Sequence, residues 1–204
     1  MTRFLLALLA ASALGALAAC GFPGGSSSTP PKTAYGPEGM AVQHGRAFAP
    51  VPALDGATVA DIPCLAPKKP GFHLHVHLAI FINGTLRPVP AGIGMVDPKV
   101  RNTRTGPRLY GPRCYYQLHV HARDGVIHVE APTARSFTLG QFFALWGQPL
   151  SATGVGAATG RVTVYVDGRP ALTDPRSIVL RQREVIQVDV GVNVAPRPVD
   201  WSHF

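Results

Sequence analysis

The sequence predicts an α+β domain in which one helix crosses a small, mixed β-sheet. Two observations favour this class: several short segments alternate polar with aliphatic residues, and a single segment repeats large apolar residues at helical spacing. The predicted strand segments are 72–82, 115–122, 126–131, 161–170, where the strand runs into an Asp167-Gly168 turn, and a final pair at 177–180 and 184–191; the helical segment lies within 136–149 and ends at Gly147. Roughly 140 residues follow the N-terminal low-complexity part, which suffices for one domain with a single core.

Residues 1–20 read as a secretory leader. Arg3 precedes an apolar run, 4–19, that is too short and too rich in alanine to favour a membrane span. The tetrapeptide LAAC at 17–20 resembles a bacterial lipobox, and this resemblance implies cleavage before Cys20 and lipidation of its sulfur. We therefore expect export across the inner membrane and a periplasmic or outer-surface lipoprotein. The alternative is an ordinary secretory signal with an incidental cysteine.

Residues 21–60 are rich in Gly, Ser, Pro and Ala and are expected to form a flexible tether. Residues 61–204 are expected to form a single, histidine-rich α+β domain.

The first regular segment of that domain, HLHVHLAIFING at 73–84, predicts a strand that ends in an Asn83-Gly84 turn. Because side chains alternate along a strand, His73, His75 and His77 share one face and the aliphatic residues between them share the other. A short edge strand over 85–89 follows. Residues 90–113 show no clear period and are expected to form a long loop, which leaves the histidine face open or covers it as a lid.

The stretch LHVHARDGVIHVE, 118–130, predicts a second hairpin with a type I′ turn at Asp124-Gly125. In that register His121 lies opposite His128, and His119 lies opposite Glu130. All four side chains then share one face, within reach of a single metal ion.

The helix is predicted by the capping box of Thr138 and Gln141 and by the end signal Gly147. Its apolar stripe is interpreted as core packing and consists of Leu139, Phe142, Phe143 and Trp146.

From residue 115 onward the predicted order is hairpin, helix, strand, strand. This order resembles the β-grasp arrangement of ubiquitin-like folds, with the 72–89 hairpin as an N-terminal addition. A β-sandwich with one helix is the alternative.

Two cysteines remain beyond the leader, Cys64 and Cys114. In an oxidising compartment such a pair is most simply a disulfide. The alternative is a thiolate metal ligand at Cys114, which strand parity opposes because this residue faces away from His119 and His121.

The formal net charge is +8, and the densest basic run, 99–113, holds Lys99, Arg101, Arg104, Arg108 and Arg113. Secretion argues against nucleic acid as a partner, so a partner of this run would be an anionic envelope surface of lipid or glycan. The favoured interpretation of the run is a solvated loop that keeps the protein soluble.

Six of the eight histidines lie on the two hairpins, which is the main functional signal of the sequence. Neutral imidazole suits copper(II) and zinc. We expect His119, His121 and His128 to form the primary metal site. His73, His75 and His77 complete it or form a second one, and Glu130 and Gln117 are candidate hydrogen-bonding supports. The alternative without metal is a hydrogen-bonded or pH-sensing histidine surface.

A His-x-His strand with a third histidine on its antiparallel neighbour resembles the zinc ligands of α-type carbonic anhydrases, at His119, His121 and His128. That resemblance implies three imidazoles and an open position that activates water. The segments HxHxHL, LHxHxxxGVIHVE and FTLGQFF together resemble a group of secreted microbial proteins over about residues 62–191. The resemblance to this group implies no activity, so it adds nothing to the chemistry inferred from the histidines.

The function expected from the sequence is that of a non-enzymatic, lipid-anchored envelope protein that binds copper(II) or zinc. A metal-dependent hydrolase or hydratase with a three-histidine zinc site is the first alternative. An envelope interaction module without metal is the second.

Overall fold

A seven-stranded β-sheet dominates the part of the chain that the computed structural model describes, residues 35–204. The predicted leader and the predicted lipidation site, Cys20, lie outside the described residues. Within 35–204, no helix has both the length and the apolar character needed to cross a membrane. Together with a single α-helix among the described residues, the sheet confirms a mixed, sheet-rich α+β class.

The described strands are numbered in chain order, and most of them are short. They are β1 (Cys64–Leu65), β2 (Phe72–Ile82), β3 (Thr85–Leu86), β4 (Met95–Val96), β5 (Lys99–Thr103), β6 (Gly106–Tyr110), β7 (Cys114–Tyr116), β8 (Leu118–His119), β9 (Val126–Ala131), β10 (Leu150–Ser151), β11 (Gly154–Val155), β12 (Ala158–Thr159), β13 (Val162–Val166), β14 (Arg169–Pro170) and β15 (Val185–Val190). The α-helix, α1, spans Leu139–Leu145, and a 3₁₀ helix spans Pro175–Ser177.

Strand β2 is central to the main sheet, whose order is β14-β13-β15-β2-β9-β8, with β3 also paired to β2. It runs parallel to β15 and antiparallel to β9. The expectation that the 72–89 hairpin is an addition to the core is therefore wrong. The reason lies in Leu78–Phe81, four consecutive buried apolar residues, because a strand covered on both faces belongs inside a sheet.

Helix α1 covers the aliphatic face of this sheet. Its predicted capping box is confirmed: the Gln141 amide donates to the Thr138 hydroxyl, and the Gln141 side chain accepts from the Thr138 amide. Phe142 and Trp146 are fully buried in the same core as Val76 and Ile127. With the helix on this face, the histidines of β2, β8 and β9 lie on the opposite one.

The 118–130 segment does not close as the predicted two-residue turn. His119, not His121, lies opposite His128, and Asp124 keeps a negative φ while its carboxylate accepts the Val126 amide. Backbone groups of 120–125 instead bond to other segments, including Gln43 and Leu78. Because the register shifts by two residues, each side chain keeps its predicted face.

Residues 90–113 are more regular than predicted. β5 and β6 form a hairpin, and β4 pairs with β7, which also pairs with β1. The predicted Cys64–Cys114 disulfide is confirmed and links β1 to β7. It leaves Cys114 no thiolate for a metal.

The segment 35–60, expected to belong to a flexible tether, lies against the domain. Met40 and Gln43 are buried, and the Gln43 side chain donates to Leu78 and accepts from Val89. The Trp146 indole donates to the Pro50 carbonyl at 3.0 Å. The rest of the predicted tether, residues 21–34, lies outside the described residues.

Candidate metal centre

Five of the six strand histidines gather on the face of the sheet opposite the helix, in two adjoining groups of candidate ligands. In each group, one ligand atom from every residue lies within 4.8 Å of the others. We call the first group the inner site (His119, His121, His128 and Glu130) and the second the outer site (His73, His75 and His128). His128 belongs to both.

The geometry of the inner site is set by two backbone carbonyls. The Nδ1–H of His119 donates to the Tyr116 carbonyl at 3.0 Å, and the Nδ1–H of His121 donates to the Leu109 carbonyl at 2.7 Å. Since a carbonyl only accepts, both rings carry their proton on Nδ1. Each Nε2 atom then carries a lone pair and no proton. The two Nε2 atoms face one another at 3.2 Å.

Burial keeps these rings neutral. Removal from water lowers the pKa of His119 and His128 well below the usual range of histidine, and neighbouring histidines lower it further. The pKa of His121 is lowered as well, again mainly by burial. No proton therefore sits between the two facing Nε2 atoms at neutral pH.

His128 is oriented by a carboxylate that the sequence did not reveal. Its Nε2–H donates to Glu38 Oε2 at 3.2 Å, and Arg108 donates to Glu38 Oε1 through Nε at 3.0 Å and Nη2 at 2.9 Å. The opposite ring nitrogen, Nδ1, is buried with no hydrogen-bond partner within residues 35–204. This tautomer leaves a lone pair on Nδ1.

Glu38 falls in the segment whose composition predicts a tether. One signal was present: Glu38 is the first acidic residue of the chain, and the next is Asp55. Arg108, assigned to a basic surface run, is its partner.

The outer site lies closer to solvent. The side chain of His73 is 40 % exposed, and its Nε2 lies 3.2 Å from Glu130 Oε1. His75 packs against His73 and His128, with ring centroids 4.4 and 4.6 Å away, and burial lowers its pKa to about 4. Burial also raises the pKa of Glu130.

Two predicted site residues lie elsewhere. His77 pairs with Val126 beyond the end of both sites and lines a separate cavity with Gln43. Its buried Nδ1 has no hydrogen-bond partner among the described residues, and burial lowers its pKa to about 4. Gln117 is buried and accepts a hydrogen bond from Arg135, outside the two ligand groups.

A cavity of about 510 Å³ reaches the edge of the inner site. Its lining includes Glu130 and Tyr115, and the Tyr115 ring packs on His119 with centroids 4.6 Å apart. Lys68 and Lys69 also line it, so the cavity combines apolar walls with positive charge.

The donor set limits what the face can hold. Imidazole nitrogens with a single carboxylate suit copper(II) and zinc and do not suit the oxygen-preferring Ca²⁺ and Mg²⁺. Backbone carbonyls and a carboxylate on the remote ring nitrogens are the supports that metal-bound histidines usually have. The described residues can thus hold a metal ion.

Comparisons of the chain with protein-family models, with curated proteins and with solved structures gave no match.

Proposed function

We propose that this chain is a lipid-anchored envelope protein that binds one copper(II) or zinc ion at the inner site. The observation that carries the proposal is the pair of Nε2 lone pairs of His119 and His121, buried and facing each other. Two unprotonated nitrogens in that position repel one another unless a cation lies between them and shares both lone pairs.

The spacing suits such a cation. With metal–nitrogen bonds of about 2.0–2.1 Å, two ligands of a tetrahedral ion lie roughly 3.3 Å apart. The two Nε2 atoms are 3.2 Å apart. His128, with its unpartnered Nδ1, offers a third nitrogen, and Glu130 offers an oxygen.

Metal content of the full, tag-free chain tests the proposal. Inductively coupled plasma mass spectrometry after copper or zinc supplementation should find about one ion per chain. The His121→Ala/His128→Ala variant should contain none and retain the wild-type circular dichroism spectrum. The matched control is His44→Ala, which removes an exposed histidine outside both sites and should keep the ion. An unchanged metal content in the double variant would refute the assignment.

The anchor is proposed from the lipobox-like LAAC at 17–20. Cys20→Ala should move the chain from the detergent-extracted membrane fraction to the soluble fraction; unchanged fractionation would contradict lipidation.

We also propose an anionic envelope surface as partner of the basic hairpin. Lys99, Arg101 and Arg104 are exposed there, while Arg108 pairs with Glu38. Replacement of Lys99, Arg101 and Arg104 by alanine should abolish binding to anionic vesicles. Binding that persists in this variant would contradict the proposed partner.

A zinc-dependent hydrolase or hydratase is the second candidate. It is favoured by one observation, the cavity that brings a space of about 510 Å³ to Glu130 at the edge of the inner site. Three nitrogens and one open position lower the pKa of a zinc-bound water to about 7. Ester hydrolysis or CO₂ hydration that disappears with chelator and in His121→Ala would establish it. Inactivity of the zinc-loaded chain would leave binding as the function.

We also propose that the main sheet and α1 form a β-grasp core. Support comes from the parallel pair β2–β15, flanked by antiparallel β9 on one side and β13 on the other, with α1 connecting β9 to the later strands. A β-sandwich remains the alternative. An experimental structure without the parallel β2–β15 pair would contradict the β-grasp.

A further inference from the structure

The two groups of candidate ligands form a chain of adjacent donors. His128 belongs to both groups. Glu130 Oε1 links them a second time, since it lies 3.2 Å from His73 Nε2 and 3.9 Å from His119 Nε2. No residue has to cross the sheet for an ion to change from one group to the other.

Exposure falls along this chain. His73 has a 40 % exposed side chain, His75 is half-buried, and His119 is fully buried. His121 and His128 are 6 % and 5 % exposed. The ring of Phe204 packs on His75 with centroids 4.4 Å apart, so the open side of the outer site is at His73.

A bare divalent ion cannot enter so dry a region without ligands, because the loss of its hydration is prohibitive. Entry by exchange avoids this, since each water or imidazole that leaves is replaced by the next donor. The shared ligand, His128, would remain on the ion while His73 and His75 are replaced by His119 and His121, and Glu130, 3.2 Å from His73 Nε2, would join it on the way. The ion stays divalent throughout, so the step needs no oxidant or reductant.

From this arrangement we infer that the outer site is the loading site for the inner one. It captures copper(II) or zinc from solvent and transfers the ion inward by ligand exchange about His128, the ligand that both groups share. The inference rests on the proposed function and adds to it a route and a direction.

The rate of loading tests the inference separately from the equilibrium content. The metal-free full chain is mixed with Cu²⁺ in a stopped-flow instrument, and quenching of intrinsic fluorescence reports binding. His73→Ala/His75→Ala should still bind one ion at saturation, but at least about tenfold more slowly. Release to a chelator should slow as well, because the ion leaves by the same route. His44→Ala, the matched control, should load at the wild-type rate.

Other outcomes overturn the inference in distinguishable ways. An unchanged rate in the double variant would mean that the outer site has no part in loading. Loss of the ion at equilibrium would make His73 or His75 a ligand of the bound ion, and two ions per wild-type chain would make the outer site a second resting site. A wild-type chain that binds no ion would refute the proposed function itself.

Discussion

The Cys64–Cys114 disulfide should provide a large part of the stability of the described domain. It joins cysteines 50 residues apart, and the entropy of closing such a loop in the unfolded chain corresponds to about 4 kcal/mol at 25 °C. Replacing both residues, as Cys64→Ala/Cys114→Ala, should lower the free energy of unfolding by about that amount. For a chain of this size the melting temperature should fall by roughly 8–16 °C.

The same change should affect the inner site. Tyr116, two residues after Cys114 on β7, supplies the carbonyl that accepts the Nδ1–H of His119. A less constrained β7 would orient His119 less well, so copper or zinc affinity should fall while one ion is still bound at saturation.

Urea denaturation followed by circular dichroism measures the stability change, and calorimetric titration with Zn²⁺ measures the affinity. Wild-type protein treated with a reductant is the control and should reproduce the stability of the variant. A loss of less than about 1 kcal/mol in both samples would refute the loop-entropy argument.

Three further changes probe the surroundings of the inner site. Burial raises the pKa of Asp124 to about 7. The folded chain therefore retains a proton that the unfolded chain releases near pH 4, and the stability that this proton contributes is lost as pH rises through 7. In urea denaturation of the metal-free protein, the free energy of unfolding of the wild type should fall by about 4 kcal/mol relative to that of Asp124→Asn between pH 4 and pH 8; parallel pH profiles of the two proteins would contradict this. Gly94→Ala should destabilise the fold by more than about 2 kcal/mol, because Gly94 has a φ of +72° and a Cβ would collide with the Leu118 carbonyl oxygen; an unchanged melting temperature would contradict it. Glu38→Gln should weaken Zn²⁺ binding about 10–100-fold in calorimetry by removing the carboxylate that orients His128, and wild-type affinity would exclude that role.

The local features of this fold could be predicted because they depend on neighbouring residues. Alternation along 73–77 and 118–130 placed the histidines on one face, since side-chain direction has a period of two. Thr138 and Gln141 predicted the start of α1, because a capping box lies within a single turn.

The features that were missed depend on segments far apart in the chain. Nothing local indicates that 72–82 pairs in parallel with 185–190, or that the backbone of 120–125 bonds to Gln43 and Leu78 instead of closing a tight turn. Glu38 reaches His128 across 90 residues, and its neighbours suggested only a tether. A site completed by such a contact requires the folded structure to be recognised.

The assignment of the inner site places one ion between His119 and His121. Anomalous diffraction from crystals of the zinc- or copper-loaded protein locates that ion. We expect a single strong peak about 2.0–2.1 Å from both Nε2 atoms, with His128 as a further ligand. An ion held only by exposed histidines such as His73 or His44, or no ordered ion at all, would contradict it.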